Sequence, residues 1–173
     1  MDIQEISDRM EIESIMIDYC HAIDDADWDA LDSVFTSDAT IDYTEMANFR
    51  GNLAEAKAWL PQAMSGLSKT QHIISTSQVR IEGDRAWART VCTNPMVVRD
   101  TGDFFVVGLW YRDELRRTPD GWRIAHRYEE NCWRFNVPEG QLADPEAARA
   151  AWIASGGTAA GPCAADKFPQ PLR

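Results

Sequence analysis

Histidine is scarce in this chain, and so is positive charge. Three imidazoles, at His21, His72 and His126, are the only side chains whose ordinary titration falls near neutrality. Seventeen lysines and arginines face 28 acids, a net charge of −11, and an acidic surface of that kind repels phosphate backbones and anionic lipid. Nucleic-acid and membrane partners are therefore disfavoured. No apolar run approaches the roughly 20 residues of a membrane span. The start, "MDIQEISDRMEIE", is acidic and lacks the basic start and apolar stretch of a secretory signal, so the expected location is the cytoplasm. Cys20, Cys92, Cys132 and Cys163 stand singly, without the close spacing of a zinc or redox motif. They read as reduced thiols filling core gaps. No phosphate-cradling loop and no nucleophile elbow is present.

What is there fits one domain with its own core. The chain has 173 residues, 45% of them hydrophobic. Residues 3–23 carry apolar positions at Ile6, Met10 and Ile17 and again at Ile12, Ile15, Met16, Tyr19 and Ile23, the spacing of a helix with a broad apolar face. Asp27 can cap a second, shorter helix, "DWDALDSVF"; "ATIDYTE" (39–45) reads as a strand; Asn52 can cap a third helix, "LAEAKAWL", with Pro61 as its end or a kink.

From residue 69 the period changes to two. "TQHIISTSQVRIEG", "RAWARTVCTNPMVVRD", "DFFVVGLWYRDELRRT" and "GWRIAHRYEENCWRF" are long strand candidates joined by the glycine turns "EGD", "DTGD" and "TPDG". Four strands joined by hairpins make an antiparallel meander, and three helices before it must cover one face. The fold class is α+β: a strongly curved antiparallel sheet wrapped over helices, with a pocket between sheet and first helix. Residues 1–135 form the domain. Residues 136–173 add a helix, "DPEAARAAWIAS", and an irregular Gly/Ala/Pro-rich tail, expected over the pocket mouth or on a partner subunit.

The polar side chains on elements predicted to line the interior are Tyr19, His21 and Asp24 on the first helix, Tyr43 on the first strand, His72 on the second, Asn94 and Met96 on the third, Tyr111 on the fourth, and His126 and Tyr128 on the fifth. His126 reads as structural. In "KTQHIIS", alternation puts His72 and Ile74 on one face and Ile73 on the other. On the residues alone His72 is either a satisfied core histidine or a proton-handling group.

"DDADWDALDSVFTSDATIDY", "TQHIIS" and "DGWRIAHR", in that order, resemble the scytalone dehydratase and SnoaL-like branch of the NTF2-like superfamily over roughly residues 5–135. The resemblance implies an NTF2-like cone, a small-molecule substrate and a homodimer or homotrimer. It makes His72 the acid/base histidine, Asp24 its carboxylate partner, and Tyr43 a hydrogen-bond donor toward a substrate carbonyl. Tyr19, Asn94, Met96 and Tyr111 are the expected substrate-binding positions. Two family positions differ: the second pocket tyrosine is Ile23 and the second pocket histidine is Met96. Tyr19, one helical turn before Ile23, can point the same way. The expected activity is a lyase acting without cofactor or metal on a small apolar or aromatic hydroxylated substrate, by dehydration or by retro-aldol C–C cleavage. A double-bond isomerase, or a non-catalytic binding or assembly module, can use the same scaffold.

Overall fold

A computed structural model describes residues 2–155. Cys163 and the Gly/Ala/Pro-rich stretch from residue 156 onward lie outside them. The chain opens with helix α1 (Ile3–Asp24), capped by Asp2, whose carboxylate accepts from the Glu5 N–H. One stripe of α1, Ile12, Ile15, Met16, Tyr19 and Ile23, is buried against the sheet. Of the broad apolar face expected, Ile6, Met10 and Ile17 remain exposed, because one sheet can cover only one side of a cylinder. The second helix shrinks to a 3-10 turn over Ala30–Ser33, its Ala30 N–H held by Asp27. Phe35 leaves it to begin strand β1 (Phe35–Tyr43).

A short helix α2 (Thr44–Ala47) and an edge strand β2 (Phe49–Asn52) follow. Helix α3 (Leu53–Met64) is closed by a reciprocal Asn52–Glu55 capping box. It runs one residue triplet past Pro61, so the proline sits inside it and does not end it. Strand β3 (Leu67–Thr70) is separated from β4 (Ile73–Glu82) by Gln71 and His72, and the meander continues through β5 (Arg85–Val98), β6 (Phe104–Thr118) and β7 (Gly121–Phe135). Each of the three expected turns keeps a glycine in left-handed conformation; at Gly121, φ is +99°.

The strands β4 to β7 pair antiparallel in sequence order, while β1 pairs with β7 in parallel. The sheet is therefore mixed. The physical reason is the path of the chain. After α1 it must cross the cone before β1 can lie down, and it arrives at the β7 edge running in the same direction. The result is a seven-stranded curled sheet in the order β2-β1-β7-β6-β5-β3, with β4 also on β5 and the core between its concave face and α1.

Helix α4 (Pro145–Ala154), capped by Asp144, returns to pack on α2. Arg149 bonds Glu45 at 2.9 Å, and the Ala143 N–H donates to the Met46 carbonyl. Cys20 and Cys92 are buried as expected, but Cys132 is exposed: it is the extra residue of a bulge opposite Gly108–Leu109. Among the described residues no helix is long and apolar enough to cross a membrane.

Candidate active site

Asp24 is the last residue of α1, and His72 lies where the chain passes from β3 to β4. Helix and strand edge meet here, 48 residues apart in sequence. The Asp24 carboxylate takes two hydrogen bonds from the same residue: one from the His72 backbone N–H to Oδ2 at 2.7 Å, one from its Nδ1–H to Oδ1 at 2.6 Å. Two bonds from a main-chain and a ring nitrogen fix both the position and the rotation of the imidazole. Burial works to raise the Asp24 pKa, but the His72 ring, its charge, its backbone and the Thr70 hydroxyl outweigh that, and the carboxyl sits below its ordinary value. His72 points inward with Ile74 while Ile73 stays exposed, the alternation that the strand pattern implies.

The other ring nitrogen, Nε2, lies 2.9 Å from the side-chain amide of Asn94 on β5. The far end of that amide faces Thr70 Oγ1 at 3.0 Å, the Pro95 carbonyl at 3.2 Å and the Gln71 carbonyl at 3.3 Å. Carbonyls only accept, so the amide nitrogen belongs at that end and the oxygen turns to Nε2.

Tyr19 packs edge-on to the His72 ring, with centroids 6.2 Å apart. Its hydroxyl shares a 2.7 Å hydrogen bond with the Tyr43 hydroxyl and donates to Glu129 at 3.4 Å. Both tyrosines are held far above the ordinary phenol range, first by burial and then by the neighbouring acid groups. Tyr43 also packs against Phe49 and Trp59, and Tyr111 is fully buried against Tyr19. These three tyrosines belong to the buried core, with Tyr19 in contact with the other two and with the His72 ring.

Beside Asp24 is a cleft of about 740 Å³, lined by the polar and charged residues Asp24, Lys69, Thr70 and Arg99 as well as by Ile23, Trp28, Met64, Leu67 and Met96; His72 itself is not among its lining residues. Ile23 and Met96, the two positions that depart from the family pattern, thus face the same space. Asn94, Tyr19, Tyr43 and Tyr111 are buried and do not line this cleft. His21 lines the rim. Among the described residues no group of three or more His, Cys, Asp or Glu side chains is placed to hold a metal ion.

Three polar residues of the interior were not visible in the strand pattern: Arg127, Glu129 and Asp113. Trp122 and Ile124 face the core, and strict alternation would continue the inward row through His126 and Tyr128. The pairing of β7 with β6 slips between Ile124 and His126, so Ala125 is an extra residue and the phase inverts. Arg127 and Glu129 turn inward instead, and Tyr128 goes to the outer face beside Trp87, its hydroxyl bonding Glu45 at 2.5 Å. Arg127 forms a fully buried pair with Asp113 at 2.7 and 2.9 Å and is sandwiched between the rings of Tyr19 and Tyr111. Burial raises Glu129 to about 8, against the pull of Arg127 and of the Tyr19 hydroxyl. The only sequence sign of this row is the unusual charge density of "RYEE" in a strand otherwise suited to a core.

Residues 4–128 match the family model described as SnoaL-like domain. An uncharacterised protein of Mycobacterium tuberculosis (strain H37Rv) is 42% identical over 135 residues, which cover 78% of this chain and 92% of that protein. Two solved structures share the fold at low identity. One, named "Putative Scytalone Dehydratase" from Novosphingobium aromaticivorans, is 18% identical with a TM-score of 0.74, covering 84% of this chain and 97% of its own. The other, a nuclear transport factor 2 (NTF2-like) superfamily protein from Salmonella enterica, is 19% identical with a TM-score of 0.68, covering 79% and 99%.

Proposed function

The chain belongs to the SnoaL-like domain family of the NTF2-like superfamily, and from that premise we propose that it is a cofactor-independent lyase acting on a small, largely apolar hydroxylated molecule. The observation that carries the reading is the double attachment of His72 to Asp24, whose carboxylate lines a cleft of mixed polar and apolar walls. A core histidine needs one partner to satisfy its donor. A carboxylate that grips both backbone and ring of the same residue spends two bonds on orientation, which is what a proton-transfer group requires. The neighbour whose name reads scytalone dehydratase supports the same class of chemistry.

In this reading the substrate lies in the cleft against Ile23, Trp28 and Met96, an aromatic or alkyl body matching walls of that kind. His72 moves the proton: it takes one from carbon or hydroxyl and gives one to the departing oxygen. Asp24 holds the ring in one orientation and offsets the imidazolium charge. The same exchange serves water loss and retro-aldol C–C cleavage, since both need one proton removed and one delivered in a site shielded from solvent. In the structure Tyr19 gives its hydrogen to Glu129 and Tyr43 gives its own to Tyr19; in this reading Tyr43 serves negative charge developing on a substrate oxygen by exchanging that bond for one to the substrate.

The test is a panel of hydroxylated aryl-alkyl compounds mixed with the protein and followed by ultraviolet absorbance, because elimination or cleavage extends conjugation. Any compound turned over should lose about two to four orders of magnitude in rate with His72→Asn, the usual worth of general acid–base catalysis, while the variant's circular dichroism stays unchanged. Equal turnover by the variant would sink the assignment.

A further inference from the structure

Charge is divided within the cleft beside Asp24. Its acids, Asp24 and Asp25, stand at the end of α1, while its cations, Lys69 and Arg99, stand on β3 and just past β5. We propose that the Lys69–Arg99 end of this cleft binds the carboxylate of a small organic acid, so that the molecule taken up has an apolar body and an anionic tail. This narrows the substrate class from hydroxylated molecules in general to hydroxylated carboxylic acids, and it rests on the reading above only in taking this cleft as the substrate site.

In a chain with 28 acids and 17 bases, a basic side chain finds a carboxylate easily. Arg9, Lys57, Arg112, Arg117, Arg127 and Arg149 each hold one. Neither Lys69 nor Arg99 has a carboxylate within ion-pair distance among the described residues. Arg99 is held by main chain instead. Its Nε donates to the Ser65 carbonyl at 2.8 Å and its Nη2 to the Leu67 carbonyl at 2.7 Å, while its own N–H reaches the Gly66 carbonyl at 2.8 Å. These bonds to the turn between α3 and β3 fix the guanidinium without neutralising it, and Nη1 keeps both hydrogens without an acceptor among the described residues. A charged fork already held in place suits a flat carboxylate. Lys69 stands opposite Val97 in the β3–β5 ladder, two residues before Arg99, so the two positive groups rise from neighbouring strands on one wall.

The α1 end of the cleft turns an anion away. Asp24 keeps its carboxylate on His72, and Asp25 caps the helix at the negative end of its dipole, with His21 at the rim. An acid entering the cleft is repelled there and drawn to the β3 wall, which lays its apolar body against Trp28, Met64 and Met96. From Lys69 to His72 the chain takes three steps, at most about 10 Å of extended backbone. An aryl ring on a short alkyl bridge spans that length, with the hydroxylated carbon toward the Asp24–His72 pair and the carboxylate toward Lys69. A carboxylate suits the site better than a phosphate: a dianion meets about twice the repulsion from a protein of net charge −11 for the same two cations.

Isothermal titration calorimetry of the full chain with 3-phenylpropanoate and with its amide, 3-phenylpropanamide, isolates the charge, because the two probes share shape and apolar area. At neutral pH and low salt the acid should bind about tenfold more tightly than the amide. Added salt should weaken the acid and spare the amide. Lys69→Met, at an exposed position whose side chain has no hydrogen bond to lose among the described residues, should cut the preference severalfold with the amide's affinity unchanged. Arg99→Met should do the same. An acid bound no better than the amide, no binding of the acid at millimolar concentration, or a preference left intact in Lys69→Met would overturn the proposal; the first two outcomes need no variant to fold. The lyase reading fails separately, through undiminished turnover in His72→Asn, and that result would leave the carboxylate site standing.

Discussion

Glu129 gives the most direct handle on the interior of the cone. It is a carboxyl on β7 buried beside Tyr19, with its pKa raised by burial from 4.5 to about 8. An unfolded chain releases that proton near 4.5, whereas the folded protein holds it until about pH 8. The folded state therefore binds more protons across that window, and the stability associated with Glu129 is complete below about 4.5 and is lost as pH rises through about 8. Each pKa unit is worth ~1.4 kcal/mol, so the displacement corresponds to a loss on the order of 5 kcal/mol between the two limits. A loss of that size is comparable to the whole stability of a marginal domain.

Replacing the carboxyl by an amide removes the titration and keeps the shape. Glu129→Gln should match the wild type near pH 4.5 and exceed it above pH 8 by several kcal/mol, on the scale of that loss. The assay is urea denaturation followed by tryptophan fluorescence at a series of pH values. The quantity to read is the difference between variant and wild type. Subtraction is needed because burial lowers the pKa of His126, whose contribution runs the opposite way: present above its unfolded pKa and lost as pH falls. Burial of Cys20, raised to about 11, adds an alkaline loss that also cancels. A constant difference between the two proteins across the range would refute the buried neutral carboxyl. So would a variant less stable than wild type at high pH.

Asp24→Asn should reduce any His72-dependent turnover by about one to three orders of magnitude, less than His72→Asn, since the imidazole survives without its orienting carboxylate; steady-state kinetics on the same substrate would show the order reversed if Asp24 were the proton carrier itself. Asp8 accepts from Arg117 at 2.8 and 2.7 Å and from the Trp122 indole at 3.1 Å, tying α1 to the β6–β7 hairpin. Asp8→Ala should cost about 2 kcal/mol by denaturant titration, and an unchanged midpoint would mean these bonds contribute nothing net. The hydrogen bond from Arg117 holds the Asp8 carboxyl well below its ordinary value, so that contribution is present at neutral pH and is lost only in strong acid.

Local chemistry made much of the architecture legible. The three glycine turns and the period-two runs between them defined the antiparallel meander, because a hairpin's geometry is written in its two or three turn residues. Asn52 and Asp144 announced two helix starts for the same reason: a cap is a contact within one turn. His72 faced inward as alternation requires, and its partnership with Asp24 entered through the family resemblance, since no spacing rule joins residues so far apart in the chain. Other features have no local signature. The parallel pairing of β1 with β7 depends on where the chain lands after crossing the cone, and the short strands β2 and β3 exist because longer neighbours offer them an edge. One bulge at Ala125 sent His126 and Tyr128 outward and drew Arg127 and Glu129 into the core. The register of β7 against β6 is settled by the whole ladder, and a single slipped residue reverses the face of everything beyond it.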